Sequence, residues 1–200
     1  MREEIKIKIL QNILKEVTKK YDYFISKQQD ILEKTFEKAI RDSLTGLYNK
    51  QYLFEYGHNL EKQHRKINKP FVIVFFDLDN FKEVNDKEGH PKGDKILKEL
   101  GKIFREVFEF DWVFRYGGDE FVVISEDSLS EIERRIGLLE EKIATQFREY
   151  KLGISSGIAI FPTDGKKFEE LLKLADSRMY KNKLKKKKKL SISFPQFWKI

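Results

Sequence analysis

The 200-residue chain contains no cysteine, which excludes disulfide bridges, thiolate metal centres and a cysteine nucleophile. Long apolar runs are also missing. The longest, Phe71 to Phe76, is far shorter than the about 20 residues that a membrane helix requires. The chain starts Met1-Arg2-Glu3-Glu4, with acids where a secretory signal carries only basic residues. We therefore expect a cytoplasmic protein without a membrane span.

Acidic residues are absent from residues 181–200, which hold eight lysines. The whole chain has 40 basic and 33 acidic residues and a net charge of +7, so residues 1–180 hold 32 basic and 33 acidic residues. Because this body is nearly neutral, we expect no nucleic-acid partner. The lysines together with Phe194, Phe197 and Trp198 resemble a membrane-surface adaptor, but only within the tail. We therefore do not expect the tail to contact a membrane.

Residues 1–40 lack both glycine and proline, the residues that most often interrupt a helix. Apolar side chains recur there at alternating spacings of three and four residues, the heptad pattern of a coiled coil. The positions of this heptad seam are Ile7, Leu10, Leu14, Val17, Tyr21, Phe24, Gln28, Ile31 and Thr35. A second stripe widens the apolar face and leaves three alternatives open: a helical hairpin, a bundle, or packing onto the rest of the chain. We favour pairing between two copies, because a helix of this length would extend about 60 Å, beyond a small domain.

The rest of the chain alternates between helical and strand patterns. Asn49 can cap a helix that begins near Lys50, and the pair Gly117-Gly118 joins two short apolar runs as a β-hairpin. The other predicted elements are a strand from Phe71 to Phe76, helices near 80–87, 93–107, 130–147 (capped by Ser130) and 168–182, and a strand over 154–161.

This order of elements predicts an α+β sandwich of the ferredoxin-like βαββαβ type. Its central antiparallel sheet carries helices on one face, and the long N-terminal helix precedes it. We predict three segments: the helix over 1–40, a folded α+β domain over 41–184, and a lysine-rich and aromatic tail over 185–200.

Two acidic pairs follow predicted strands. Asp77 and Asp79 come after the apolar run, and Asp119 and Glu120 lie at the tip of the predicted hairpin. Strand ends at one edge of a sheet can bring these carboxylates together, and their mutual repulsion then favours a bound cation. Oxygen ligands without histidine or cysteine point to Mg²⁺ or Mn²⁺, the usual ions of metal-assisted phosphoryl or nucleotidyl transfer. A simple hairpin turn with solvated acids is the alternative.

Six motifs occur in the order of a known bacterial family. They are Asp42 to Asn49, Phe76-Asp77-Leu78-Asp79-Asn80-Phe81-Lys82, Asn85-Asp86, Gly89-His90 with Gly93-Asp94, Arg115-Tyr116-Gly117-Gly118-Asp119-Glu120-Phe121, and Ala175-Asp176 with Met179-Tyr180 and Lys183. Over about residues 41–184 the chain resembles the GGDEF-domain diguanylate cyclases. The resemblance implies a palm-like fold shared with nucleotidyl cyclases and the condensation of two GTP molecules to cyclic di-GMP with release of two pyrophosphates.

The resemblance also implies a metal site and catalytic residues. Asp77, the main-chain carbonyl of Leu78 and Asp119 would hold Mg²⁺ or Mn²⁺, two ions in each half-site, with Glu120 assisting. Asp119 would also accept a proton, and Lys82 would stabilise charge in the transition state.

Substrate-binding residues follow from the same motifs. Asn85 and Asp94 match the guanine-binding positions, where a carboxylate can accept from guanine N1–H and the exocyclic amine. His90 matches a position at the nucleotide pocket, although a histidine that caps a helix is an alternative. Two further sets would lie along the triphosphate: Gly117 and Gly118 through their backbone, and Lys183 and Lys187 through their charge.

Two positions depart from the family pattern. The product-inhibition motif, Arg-x-x-Asp, reads Phe108-Glu109-Phe110-Asp111, so the arginine that grips the bound product is missing. This departure predicts weak or absent feedback inhibition at that site. The second departure is Lys187, which stands where the family usually has an arginine.

Each such domain carries half of the reaction centre, so the resemblance implies a homodimer, for which the N-terminal helix offers a means. The chain is expected to be either a short constitutive enzyme or part of a longer signalling protein with an upstream sensor or regulatory partner. The alternative function is a catalytically silent module that binds GTP or cyclic di-GMP.

Overall fold

The computed structural model describes residues 1–192, which fall into two compact units, Met1–Ile40 and a second that begins at Arg41. The first unit is the predicted long helix, α1 (Arg2–Ile40). The apolar side chains of its heptad seam are largely exposed; Leu14, for example, is 67% exposed. Across the described residues, no helix has the length and apolar composition to cross a membrane. The tail residues Phe194, Phe197 and Trp198 lie outside this range.

The second unit has the predicted order of helices and strands. Its elements are α2 (Lys50–Ile67), β1 (Phe71–Asp79), α3 (Phe81–Glu88), α4 (His90–Val107), β2 (Trp112–Gly117), β3 (Glu120–Ser125), α5 (Leu129–Gln146), a 3₁₀ turn (Arg148–Tyr150), β4 (Gly153–Phe161) and α6 (Phe168–Ile192).

Within residues 1–192 the strands form one antiparallel sheet in the order β2-β3-β1-β4, which confirms the predicted fold class. Helices cover both faces, so the expectation of helices on one face was wrong. Val72 and Val74 of β1 pack into a core with α4 and α5, whereas Ile73 and Phe75 pack into a core with α2 and α6. A strand covered on both faces has no polar side, which is why β1 starts with six consecutive apolar residues.

Several element ends differ from the predicted ones. β1 extends through Asp79, because β4 remains paired with it and places Ser155 opposite Asp77. The N-cap of α5 is Ser128 rather than Ser130, since the Ser128 hydroxyl accepts a hydrogen bond from the Glu131 amide at 3.3 Å. α6 continues into the lysine run, where positive charge favours the C-terminal end of a helix.

The contact between α6 and β4 depends on a residue without a side chain. A Cβ atom at Gly157 would lie 2.2 Å from the Ala175 carbonyl oxygen and 2.2 Å from the Met179 amide nitrogen, both of them backbone atoms of α6. The helix can therefore approach the sheet this closely only where β4 has glycine.

We expect Gly157→Ala to lower the free energy of unfolding by about 1–3 kcal/mol, the usual cost of overpacking a core. The matched control is Gly137→Ala in α5, where an added Cβ meets no atom within 4 Å in the part of the chain that the structure describes. That change raises stability by up to about 1 kcal/mol, because alanine favours helix. Urea unfolding of both variants measures the difference, and equal midpoints would contradict the packing argument.

Candidate active site

The predicted acidic pairs meet where β1 lies beside the β2–β3 hairpin. Asp77 is the register partner of Glu120, the first residue of β3. At the next residue of β1, the Leu78 amide donates a hydrogen bond to the carbonyl oxygen of Asp119, the residue before Glu120, at 3.2 Å. Antiparallel pairing therefore places Asp77, Asp119 and Glu120 at one edge of the sheet. Asp79 lies beyond them, and its carboxylate accepts a hydrogen bond from the Ser155 hydroxyl at 2.9 Å.

These carboxylates lie close enough to perturb one another. Burial raises the pKa of Asp77, and the charge of Asp119 raises it further, while Lys183 acts in the opposite direction. Burial also raises the pKa of Glu120, followed by the charges of Asp77, Asp119 and Asp176, with Lys50 opposing them. Concentrated negative charge of this kind binds cations.

Lys183 of α6 reaches two of the predicted metal ligands. Its ammonium donates to the Asp77 carboxylate and, at 3.2 Å, to the Leu78 carbonyl oxygen. Lys187, one turn further along α6, is exposed, and its charge acts on Asp77. Both lysines therefore lie on the acidic side of the site, as a triphosphate contact would require.

The donor set fits a magnesium-type ion that arrives with phosphate. All the predicted ligands are oxygen atoms, and the Lys183 ammonium already takes the place of a cation on two of them. Over residues 1–192, no group of three or more His, Cys, Asp or Glu side chains is arranged to hold an ion unaided. Mg²⁺ commonly binds through one or two carboxylates, with substrate phosphates completing its shell.

The glycine pair at the hairpin tip is exposed and has free space around it. A Cβ atom at Gly117 or at Gly118 would meet no atom of the described residues within 4 Å. Gly118 has a φ of +50°, a left-handed conformation that favours glycine. The tip therefore offers its backbone to a ligand without obstruction.

Arg115, whose role the sequence did not indicate, holds this tip in place. Its guanidinium donates to the Gly118 carbonyl oxygen at 2.8 and 3.1 Å, and to the Asp42 carboxylate at 3.1 and 3.3 Å. Although burial acts to raise the pKa of Asp42, hydrogen bonds from Thr45 and Arg115 outweigh it and lower the pKa. Arg115 thus connects the first motif of the domain with the glycine hairpin.

The predicted guanine-binding residues lie on neighbouring helices, Asn85 on α3 and Asp94 on α4. Among the described residues, the buried Asn85 Oδ1 atom has no hydrogen-bond partner. Gly93 makes room for it, since a Cβ there would lie 2.0 Å from this oxygen. An unpaired buried amide oxygen is costly, so it marks a place where a ligand donor could bind.

The remaining predicted substrate residues are exposed. His90 begins α4, whose N-cap is Gly89 and carries no side-chain cap, so His90 does not act as the capping residue. Lys82 lies in the first turn of α3 with its side chain in solvent. Neither residue is drawn into the acidic cluster by a described contact, and their roles stay predictions.

At the predicted product site, Phe108 belongs to the hydrophobic core and Asp111 forms a salt bridge within the domain. Phe108, which replaces the expected arginine, is 1% exposed and packs against Phe76 and Phe104 in the core. Asp111 forms a salt bridge with Arg135 at 2.5 Å, and Arg135 also pairs with Asp127. Asp111, the residue of the product motif that this chain retains, is therefore paired with an arginine of its own domain.

This palm-like sheet, with carboxylates beside a glycine hairpin, defines the class of the protein, and comparison with known proteins defines the family. The family model described as "Diguanylate cyclase, GGDEF domain" matches residues 39–189. The chain belongs to this GGDEF family, which confirms the predicted resemblance.

Two curated relatives and one solved structure illustrate the similarity. The diguanylate cyclase DgcS of Shewanella oneidensis is 36% identical over 153 residues, covering 73% of this chain and 50% of DgcS. The cyclic di-GMP phosphodiesterase NbdA of Pseudomonas aeruginosa is also 36% identical over 153 residues, covering 74% of this chain but 20% of NbdA. The chain therefore spans from a fifth to half of the length of these relatives. The diguanylate cyclase SiaD from P. aeruginosa, solved in complex with its activator SiaC, matches with a TM-score of 0.71 and 25% identity, covering 92% of this chain and 72% of SiaD.

We expect Arg115→Met to lower the free energy of unfolding by about 1–3 kcal/mol, because it leaves Asp42 and the Gly118 carbonyl without a charged donor. Arg134→Met serves as the control, since Arg134 pairs with Glu131 in solvent and such pairs contribute little. Thermal unfolding measures both variants. If Arg115→Met melts at the same temperature as Arg134→Met, the contacts of Arg115 with Asp42 and Gly118 do not stabilise the fold.

Proposed function

We propose that this protein is a diguanylate cyclase, which condenses two GTP molecules to cyclic di-GMP and two pyrophosphates. The observation that carries the proposal is the register of β1 and β3, which places Asp77 opposite Glu120 and next to Asp119 in a chain that matches the GGDEF family. The name of DgcS supports this activity. NbdA, named for cleavage of cyclic di-GMP, matches over only a fifth of its length and is weaker support for another activity.

Asp77, the Leu78 carbonyl and Asp119 hold the metal in this proposal, and Glu120 adds negative charge beside them. Magnesium or manganese, two ions in each half-site, would supply positive charge to the α-phosphate and increase the acidity of the attacking hydroxyl. The protein's own contribution is to hold the carboxylates in fixed positions before the substrate arrives, because both strands are paired up to this edge.

Nucleotide recognition is assigned to two sides of the site. Asn85 and Asp94 bind the guanine, and a base without the N1–H donor would leave the Asp94 carboxylate unpaired. His90 is assigned to the same nucleotide pocket by its motif position. The triphosphate extends along the backbone of Gly117 and Gly118.

The lysines complete the phosphate site. Lys183 and Lys187 approach the triphosphate from α6, and Lys82 approaches from α3. Each contributes positive charge, and Lys82 stabilises the charge that develops in the transition state.

The chemical step balances as an exchange of one phosphorus–oxygen bond for another. The 3′-hydroxyl oxygen of each GTP attacks the α-phosphorus of the other, and the bond from that phosphorus to the bridging β-phosphate oxygen breaks in line. Pyrophosphate leaves with the bonding electron pair, and Asp119 accepts the proton of the hydroxyl. Two such steps close the ring of cyclic di-GMP.

Two domains must face each other for this reaction, because one domain binds one GTP. We propose a homodimer formed through α1, whose exposed heptad seam of Leu10, Leu14, Val17 and Phe24 would be covered by a second copy. Pairing of the helices raises the effective concentration of the two domains. The match to SiaD covers 92% of the chain, and an activator bound to that protein supports a regulatory partner as the input here.

Incubation with GTP and Mg²⁺, followed by chromatography of the nucleotides, tests the activity. Wild-type protein should yield cyclic di-GMP and pyrophosphate, and Asp119→Ala should lower the rate at least about 1,000-fold, because it removes both a metal ligand and the proton acceptor. Glu133→Ala is the control, since this exposed acid on α5 has no assigned role and belongs to none of the family motifs. Binding of GTP without any product would instead identify a catalytically silent module.

Feedback inhibition through the Phe108–Asp111 site should be weak or absent. The guanidinium that would grip the product is missing, and Asp111 is paired with Arg135. Initial rates measured against added cyclic di-GMP check this expectation, with pyrophosphatase present to remove the other product. Inhibition at submicromolar cyclic di-GMP would contradict it.

Charges placed in the seam of α1 should separate the dimer. Leu14→Glu combined with Val17→Glu should give a monomer by light scattering and lower turnover at least about tenfold, because buried unpaired carboxylates oppose helix pairing. Asn12→Glu combined with Ser26→Glu places the same charges on the opposite face and should leave the dimer intact. An unchanged mass and turnover in the seam variant would remove α1 from the proposal.

A further inference from the structure

We propose that Lys183 occupies the metal position of the nucleotide-free protein, so that metal binds together with GTP and only weakly without it. The inference deepens the proposed function and rests on it for the identity of the nucleotide. It assigns Lys183 a role in the order of binding, in addition to the phosphate contact that the family resemblance implies.

The position of the Lys183 ammonium carries the inference. It donates to the Asp77 carboxylate and to the Leu78 carbonyl oxygen, the two groups of β1 that are assigned to the metal. The Lys183 side chain is 18% exposed and that of Asp77 is 17% exposed, so the ion pair is largely removed from water. A cation that entered from solution would have to displace the ammonium from both oxygen atoms.

Side chains of α6 on either side of Lys183 attach the helix to the sheet. The side-chain amide of Asn182 donates to the Ser156 carbonyl oxygen at 2.9 Å, and the Lys186 ammonium donates to the Ile154 carbonyl oxygen at 2.6 Å. Both acceptors belong to β4, the neighbour of β1 in the sheet. The helix is therefore attached to the sheet beside the site, and only the flexible side chain of Lys183 needs to move.

Charge explains why the metal and the ammonium exclude each other. Two cations that share the same oxygens repel each other strongly in a site that is partly shielded from solvent. A triphosphate offers Lys183 another anionic partner within reach of its four-carbon side chain. Movement of the ammonium to phosphate frees Asp77 and the Leu78 carbonyl, so GTP and metal each strengthen the binding of the other.

The ion pair of Lys183 and Asp77 also stabilises the nucleotide-free protein. Asp77 lies beside Asp119 and Glu120, and the charges of Asp119 and Lys183 act on it in opposite senses. Without a cation, these acids would repel each other at the edge of the sheet. Lys183 thus stabilises the site while no metal is present.

Direct binding of Mn²⁺ to the 200-residue protein without nucleotide tests the proposal. Electron paramagnetic resonance measures free Mn²⁺ in a titration. We expect Lys183→Met to lower the dissociation constant for Mn²⁺ by about tenfold or more relative to wild type, within the usual range of coupling between two ligands. Asp77→Asn added to Lys183→Met should abolish the tight Mn²⁺ binding of that variant. Its loss would show that the ion binds at Asp77.

Two control variants distinguish an ammonium group in the metal position from a positive charge elsewhere on α6. Lys187→Met removes a positive charge that acts on Asp77 without a hydrogen bond to it, and Lys181→Met removes an exposed charge from the same helix. Each should change the dissociation constant by no more than about threefold, because solvent screens these charges. An equal effect of Lys183→Met and Lys187→Met would overturn the proposal.

A second measurement keeps the test independent of folding defects. In the presence of a chelator, Lys183→Met should melt at a lower temperature than wild type, and Mn²⁺ should raise its melting temperature more than that of wild type. If Lys183→Met does not fold, Lys183→Gln is used in its place, because glutamine keeps a polar end group on a shorter, uncharged side chain. Equal shifts with Mn²⁺ in variant and wild type would overturn the proposal.

The outcome is distinguishable from that of the proposed function. If wild-type protein makes cyclic di-GMP but Mn²⁺ binds the Lys183 variant no more tightly, the binding order fails and the activity stands. If Lys183→Met binds Mn²⁺ more tightly than wild type but wild-type protein forms no product from GTP, Lys183 still occupies a metal site. The proposed activity then fails.

Discussion

Negative charge crowded at one edge of the sheet is the constraint on which the rest of this site depends. Asp77, Asp119 and Glu120 are brought together by strand pairing, and burial raises the pKa of both Asp77 and Glu120. Backbone hydrogen bonds fix their positions, so the acids cannot separate to relieve their repulsion. The site must therefore attract positive charge, which Lys183 supplies within the chain and which a metal and its nucleotide would supply during catalysis.

The glycine hairpin is the second feature that the site requires, and it depends on contacts outside the hairpin. Gly118 adopts a left-handed conformation at the tip, and Arg115 holds its carbonyl oxygen while also binding Asp42. A tip without side chains leaves space for phosphate, but it also lacks packing of its own. The arginine supplies the missing attachment, so that an exposed turn keeps a defined shape.

Most of the fold could be predicted because its patterns are local. The uninterrupted heptad of α1, the apolar run of β1 and the glycine pair between two short strands each depend on neighbouring residues, and the order of elements followed from them. The extension of β1 to Asp79 was missed because it depends on pairing with β4, which is distant in the chain. The expectation of helices on one face was wrong, although the six successive apolar residues of β1 already indicated a strand covered on both faces.

The sequence by itself determined the family, and it predicted the class of metal and the acids of the site, because these depend on which side chains are present and in what order. Only the tertiary structure decided how those groups meet. It placed Lys183 of α6 on Asp77 of β1 and paired Asp111 with Arg135. It also left Asn85 Oδ1 beside Gly93 without a hydrogen-bond partner among the described residues. Such contacts join residues far apart in the chain, and their geometry depends on the packing of whole helices against the sheet, which no local pattern records.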